Sequence, residues 1–422
     1  MNHSWMDGEA FMPANGMRVL AIGAGGVGTS AALIAARRDF FDSWIIADYS
    51  NARAQSLCER VGDSRFTALA LDASDESAVV ETISKHSITH VVNLVDPRFV
   101  MPIFRGALEA GANYLDTAMS LSRPHPHQPF EQVGVKLGDE QFATDEQWRS
   151  RGLLALCGMG VEPGLADVFA RYAADELFDE IDEIGIRDGA NLAVAGYEFA
   201  PTFSIWTTIE ECLNPPIIWE RDRGWFTTEP FSEPEIFEFP EGIGAQECVN
   251  VEHEEVLLVP RWIDCNRVTF KYGLGEEFIE ILKTLHKLGL DSTDPVDVKG
   301  QLVSPRDVVA AALPDPLTLG DKMSGKTCAG TWVTGMKDGE RREVYLYHVT
   351  DNEWSMTEYG TQAVTWQTAM NPVIALELLA TGTWHGSGVL GPEAFAAQPY
   401  LELMRTGYGQ AYGFEDRTPT AN

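Results

Sequence analysis

The chain has no C-x-x-C pair, no run of clustered positive charge and no apolar stretch long enough for a membrane span. Its six cysteines, Cys58, Cys157, Cys212, Cys248, Cys265 and Cys328, are scattered. That spacing excludes a zinc ribbon or a disulfide framework and reads as the reduced thiols of a cytoplasmic protein. Basic residues are scarce: 31 Lys and Arg stand against 63 Asp and Glu, a formal net charge of -32. Phosphate backbones and anionic membranes are held by clustered cations, so neither a nucleic-acid nor a membrane partner is expected. The same acidity either draws a small cationic amine or amino-acid substrate or simply keeps the protein soluble. Residues 1–16 lack the basic start and apolar core of a signal peptide and read as a loose N-terminal extension. No repeat or low-complexity tract divides the chain, and 422 residues suit two or three domains.

What is present begins at Val19. The apolar run Val19–Ile22 leads into Gly23-Ala24-Gly25-Gly26-Val27-Gly28, a G-x-G-x-x-G followed by a helix-forming stretch. In that context Gly23 permits the tight turn, Gly25 lets the backbone approach a diphosphate, and Gly28 lets helix and strand pack closely. Gly26 and Val27 open the helix with free N–H groups. Asp48 follows Gly28 by 20 positions, at the end of a second apolar stretch, where a carboxylate accepts hydrogen bonds from an adenosine ribose. Asp48 favours NAD. Arg53, beyond Tyr49, can still reach the 2′-phosphate of NADP, so NAD is expected with NADP possible.

Strand and helix then alternate. Strands are predicted at Arg18–Ile22, Trp44–Ala47, Phe66–Leu71, His90–Val95, Asn113–Asp116 and Leu153–Leu156, with helices around Ser30–Arg38, Arg53–Val61, Glu76–Lys85 and Met101–Ala110. This is the pattern of an α/β, Rossmann-type doubly wound parallel sheet. The Pro-rich Ser122–His127 breaks it. An amphipathic helix follows at Leu165, Val168, Phe169 and Tyr172. From about 181 the sequence turns β-rich, at Ile184–Ile186, Val256–Val259, Val268–Tyr272, Gly330–Val333 and Val344–Val349, with a hairpin signal at Lys337-Asp338-Gly339. Helices are predicted at Phe278–Leu288 and Arg306–Ala312, and again over Thr361–Leu379, with Pro372 as a boundary or kink. The division expected is 17–155 for the dinucleotide, 156–360 for an inserted α+β substrate and dimerisation domain with a mixed or antiparallel sheet, and 361–422 for a helical return to the first domain.

Ligands of such sheets sit beyond the carboxyl ends of the strands. Asp72 and Ala73 end the third strand, where adenine lies, although Asp72 equally suits a cap for the next helix. Asn93, Val95 and Asp96 end the fourth strand, and Asp116 and Thr117 the fifth.

The glycine loop, "HVVNLVDPRF", "ANYLDTA", "GMGVEPGLADVFARYAADEL" and "GTWHGSGVLGPEAF", in that order, resemble the saccharopine dehydrogenase-like proteins. These include saccharopine reductases, lysine 6-dehydrogenases and carboxynorspermidine dehydrogenases, with homospermidine synthase a more distant cousin. The resemblance implies hydride transfer between NAD(P) and the carbon of a C–N bond in an amino acid, opine-like compound or polyamine, and a homodimer. It places Asp116 and Glu162 near the reacting groups, and Phe203, Trp206, Glu210 and Glu211 in the substrate pocket. Glu162 stands where many relatives carry Asp or Ala. A carboxylate with an aromatic face suits an ammonium group, but Trp206 equally suits the core and the two glutamates a helix surface. His253 either titrates near neutral pH and moves the amine proton or is a solvated strand-edge residue. No metal site is expected. Two other readings stay open: a homospermidine synthase-like transferase that keeps NAD bound, and a dinucleotide-binding sensor without catalysis.

Overall fold

The computed structural model describes residues 16–419; of the N-terminal extension, residues 1–15 lie outside the described residues. Six strands, β1 (Met17–Ile22), β2 (Phe41–Asp48), β3 (Phe66–Ala70), β4 (His90–Asn93), β5 (Asn113–Asp116) and β6 (Leu154–Leu156), form one parallel sheet with a seventh, Gly388–Leu390. The helices α1 (Gly26–Ala35), α2 (Asn51–Val61), α3 (Glu76–His86) and α4 (Val100–Ala110) supply its crossovers. Its order is Gly388–Leu390, β6, β5, β4, β1, β2, β3. The direction of winding reverses between β1 and β4, which opens a crevice at their carboxyl ends. The strands are apolar because they are covered on both faces: Val19, Leu20, Val91, Tyr114 and Leu115 are wholly buried. Local chemistry sets the helix ends. Ser50 caps α2 through the Arg53 N–H, Asp75 caps α3 through the Ala78 N–H, and Gly62 and Gly111 stop α2 and α4 in the left-handed region.

A nine-stranded mixed sheet forms the second layer. At its centre Glu180–Ala190 lies antiparallel to Lys326–Lys337 and parallel to Arg267–Gly273. Lys326–Lys337 and Glu340–Asp351 form the predicted hairpin, with Asp338 and Gly339 both at positive φ in a two-residue turn.

Three readings of the sequence are corrected. Val256–Val259 is not a strand but the heart of the helix Glu255–Trp262. A short apolar run buried on every side has no periodicity to separate strand from helix. The C-terminal helix, Ala363–Ala380, runs through Pro372 without a boundary, held by burial along most of its length and by packing on α1. The segment after residue 361 is also not purely helical: Gly388–Leu390 extends the first sheet beside β6, and Gly413–Asp416 pairs with Glu340–Asp351 in the second.

Candidate active site

The turn between β1 and α1 has the shape of a diphosphate cradle. Gly23 sits at φ +117°, which a side chain would strain. A Cβ on Gly28 would lie 1.9 Å from the Gly23 carbonyl oxygen, whereas a Cβ on Gly25 would meet nothing within 4 Å. One glycine is therefore needed for strand–helix contact, and the other leaves open room beside the backbone. No side chain caps α1 and no acidic residue occupies its first turn. The N–H groups of Gly26, Val27 and Gly28 thus have no partner within the helix and suit an anionic guest. These residues fit a dinucleotide.

Asp48 does more than face a ribose. Its Oδ2 accepts the Ala24 N–H at 2.9 Å and its Oδ1 the Ser50 N–H at 2.9 Å, so it pins the glycine loop to the start of α2. Arg53 Nη1 stands 3.9 Å from Asp48 Oδ2 with its guanidinium 5.6 Å from the ring of the exposed Tyr49. Asp72 accepts both the N–H and the hydroxyl of Ser74 and closes a turn, with half-buried Ala73 inside it. Asn93 is buried, donating to Tyr114 Oη and accepting the Val95 N–H, and so shapes the turn after β4.

At the carboxyl edge of this sheet lies a cavity of about 550 Å³. Gly26, Val27, Val95, Asp96 and Thr117 wall it on the nucleotide side, and Glu162, Phe203, Glu211, His253 and Glu254 on the other. His253 is the only side-chain cation among its described lining residues. The imidazole is 4 % exposed and stacks on Phe270 with ring centroids 3.7 Å apart. Its Nδ1 lies 2.6 Å from Glu255 Oε2 and 3.5 Å from Glu254 Oε2. Burial alone would lower its pKa; the attraction of Glu255, Glu254 and Glu211 outweighs that and holds it at about 10. His253 is thus a buried imidazolium, which corrects both the solvated reading and the titration expected near neutral pH. Glu211 is pushed up to about 8 by burial and by Glu254, Glu255 and Glu252, against the pull of His253. Burial and Asp188 raise Glu162, whose Oε2 has no hydrogen-bond partner.

Other expected site residues lie behind this wall. Asp116 is wholly buried and does not line the cavity. Its Oδ1 accepts the Gly158 N–H at 2.7 Å and its Oδ2 accepts from Gln141 Nε2 at 2.8 Å, anchoring the loop that carries Glu162. Glu210 is turned from the cavity and paired with Arg306 and Asn214. Trp206 lines the cavity, but the guanidinium groups of Arg98 and Arg306 lie 4.3 and 4.7 Å from its rings. Guanidinium groups rather than a guest's ammonium already stack there. The sequence reading missed Glu254, Tyr272 and Asp188. The signal for Glu254 was available: Glu252-His253-Glu254-Glu255 sits inside the apolar stretch Cys248–Pro260, an improbable place for four solvated residues.

The buried acids have a consequence for stability. Burial raises Asp116 from 3.8 to about 7 and Glu252 from 4.5 to about 8, as it does Glu211. Between pH 4 and 8 the folded protein therefore holds protons that the unfolded chain has lost, and stability falls as pH rises. His253, raised from 6.5 to about 10, acts in the same direction: its contribution is complete below 6.5 and lost as pH rises through 10. In about 0.5 M salt, which screens the exposed charges, Tm is expected to drop by on the order of 5–10 °C from pH 6 to 10. Scanning calorimetry checks this; a Tm that rises over that range contradicts the charge states above.

A doubly wound sheet with a free helix N-terminus at its switch point, opening on an inter-sheet cavity, defines a dinucleotide-dependent oxidoreductase. Residues 19–156 match the family model of the saccharopine dehydrogenase NADP binding domain, and residues 160–409 that of the saccharopine dehydrogenase C-terminal domain. The chain belongs to the saccharopine dehydrogenase family and is an NAD(P)-dependent enzyme. It is 31% identical over 398 residues to carboxynorspermidine synthase of Vibrio alginolyticus, covering 92% of this chain and 94% of the relative. It is 29% identical to carboxyaminopropylagmatine dehydrogenase of a Synechocystis species, covering 92% and 95%. The saccharopine dehydrogenase (L-Glu forming) of Saccharomyces cerevisiae shares the fold, with a TM-score of 0.68 at 16% identity over 95% of this chain and 100% of the other. Among the described residues no helix is long and apolar enough to cross a membrane.

Proposed function

We propose that this protein joins a cationic diamine or polyamine to a carbonyl compound by reducing the imine they form, or runs the reverse oxidation. The observation that carries this is the set of acids, Glu162, Glu211 and Glu254, that line the cavity together with His253. Such a wall suits an ammonium-bearing guest, whose charge favours ionisation of acids that burial otherwise keeps protonated. The names of two relatives, both carboxy-substituted polyamines, agree with it.

Amine and carbonyl first lose water to give the C=N bond. When bound, NAD(P)H would supply the hydride for its carbon, and one proton must reach its nitrogen. We assign that proton to His253, a reading supported by its contacts: Nδ1 is committed to Glu255, while Nε2 has no partner among the described residues. Glu211 and Glu254 hold the remaining ammonium, and Glu211 releases its own proton when the cation arrives. Asp116 and Glu210 are positioning residues, one for the Glu162 loop and the other for Arg306. Gly23, Gly25, Gly26, Val27 and Gly28 hold the diphosphate, and Asp48, Tyr49 and Arg53 face the adenosine end. In the same proposal residues 17–155 serve the dinucleotide and 156–360 the amine, while the chain after 361 closes the first unit through Ala363–Ala380 and Gly388–Leu390 and ends with Gly413–Asp416 in the second sheet. The protein works in the cytoplasm as a homodimer; exposed Leu288, Val296, Val298 and Leu302 offer apolar surface for a subunit contact.

The test is a matrix of diamines, polyamines and basic amino acids against aldehydes and keto acids, followed by loss of reduced-nicotinamide absorbance with NADH and with NADPH. Consumption that requires both an amine and a carbonyl compound supports the reading. Turnover of the amine without net change in the coenzyme points instead to a transferase.

A further inference from the structure

The active-site cavity does not end at Glu162. A second chamber of about 580 Å³ continues from it, and the two share Glu162, Pro201, Phe203, Thr208, Tyr272 and Val364 as common walls. The chambers differ in charge. The first contains His253, whereas the charged walls of the second are Glu162, Asp188, Glu198, Glu276 and Glu277, with no Lys, Arg or His among its described lining residues. Two of these carboxylates are set deep. Asp188 lies two residues before the end of the strand Glu180–Ala190, is 5 % exposed, and has His253 as the one cation acting on it among the described residues. Glu162 Oε2, at the junction, is buried without a hydrogen-bond partner. Facing them are Tyr272 and the stacked rings of Phe199 and Phe278, with centroids 5.3 Å apart.

Burying carboxylates is costly even with help nearby: burial and the neighbouring Asp188 raise Glu162 well above the ordinary carboxylate range, and burial raises Asp188 to about 6 although His253, Glu162 and Tyr272 all favour its charged form. A guest that brings its own positive charge relieves that cost. Aromatic walls beside carboxylates match a chain of methylenes ending in ammonium or guanidinium. We propose that the second chamber is a subsite for the far cationic end of an extended linear amine, whose reacting nitrogen lies in the first chamber. This rests on the amine reading above and narrows it: amines with a third nitrogen are preferred to short diamines.

Calorimetric titration with spermidine, a linear triamine, and 1,3-diaminopropane, a short diamine, separates the two ideas because binding is read without turnover. Spermidine is expected to bind at least tenfold more tightly. Ala193→Trp places an indole in the outer chamber from an exposed wall position that the first chamber does not use. It should remove that margin and leave diaminopropane binding unchanged. Asp188→Asn should reduce the margin as well, which keeps the test intact if the tryptophan variant unfolds. Equal affinities in the native protein, or a margin that survives both substitutions, overturns the subsite. A margin that behaves as expected while no amine supports coenzyme oxidation leaves the subsite standing and removes the catalytic reading. Turnover of diamines with no margin does the reverse.

Discussion

Replacing His253 by glutamine is expected to lower kcat by about 10²-fold, the usual worth of a positioned proton donor, while affinity for the reduced coenzyme changes less than about twofold. The side chain is held in three ways: Nδ1 on Glu255, the ring face on Phe270, and burial to 4 % exposure. None of these contacts reaches the glycine loop, so coenzyme binding should not register the change. Glutamine keeps a donor for Glu255; alanine would leave that carboxylate buried and alone, a change worth several kcal/mol. The pH profile adds a readout that packing cannot imitate. With His253 held at about 10, native turnover should persist into mildly alkaline solution and fall as pH rises through about 10. The glutamine variant should lose that alkaline limb. Full turnover in the variant would mean that Glu211 or solvent supplies the proton.

The cofactor end was legible in the chain because its constraints are local. A glycine at a fixed offset from a strand is demanded by backbone geometry within a few residues, as the Gly28 contact with Gly23 demonstrates. The amine end was legible only in part: the family resemblance pointed to Glu162 and Glu211, but Asp188 and Glu254 were missed because the carboxylates converge from distant elements, Glu162 from the loop after β6, Asp188 from the second sheet, Glu211 from the helix Ile205–Leu213, and Glu254 beside the helix Glu255–Trp262. Glu210 and Glu211 show the limit most clearly. Adjacent and chemically alike, they diverge by about 100° on one helix, one into the cavity and the other to Arg306. Only the helix phase, fixed by burial of Ile205, Trp206, Ile209 and Cys212, decides between them. Asp116 was found for a reason that proved incomplete. A carboxylate at a strand end does face the crevice region, but here the Gly158 N–H and Gln141 take both its oxygens.

Gly25→Ala and Gly28→Ala should part company, although the residues lie three apart in one loop. Gly25 has φ -79° and ψ -158°, a conformation open to any residue, and an added methyl would touch nothing within 4 Å. Its variant should fold as the native protein does, with Tm within about 2 °C. The room that the methyl enters is the room a diphosphate needs, so affinity for NADH or NADPH should fall at least tenfold, about 1.4 kcal/mol. Gly28 is the opposite case. Inside a helix, alanine is intrinsically better than glycine by about 1 kcal/mol, so propensity alone predicts a more stable protein. The Cβ would stand 1.9 Å from the Gly23 oxygen and 2.8 Å from its carbon, and these are backbone atoms that cannot swing aside. The turn must open, Tm should drop by several degrees, and coenzyme binding should go with it. Fluorescence titration of NADH and NADPH beside thermal unfolding reads both quantities. A Gly25→Ala protein that binds the coenzyme normally would place the diphosphate elsewhere, and with it the wall against which the amine is presented.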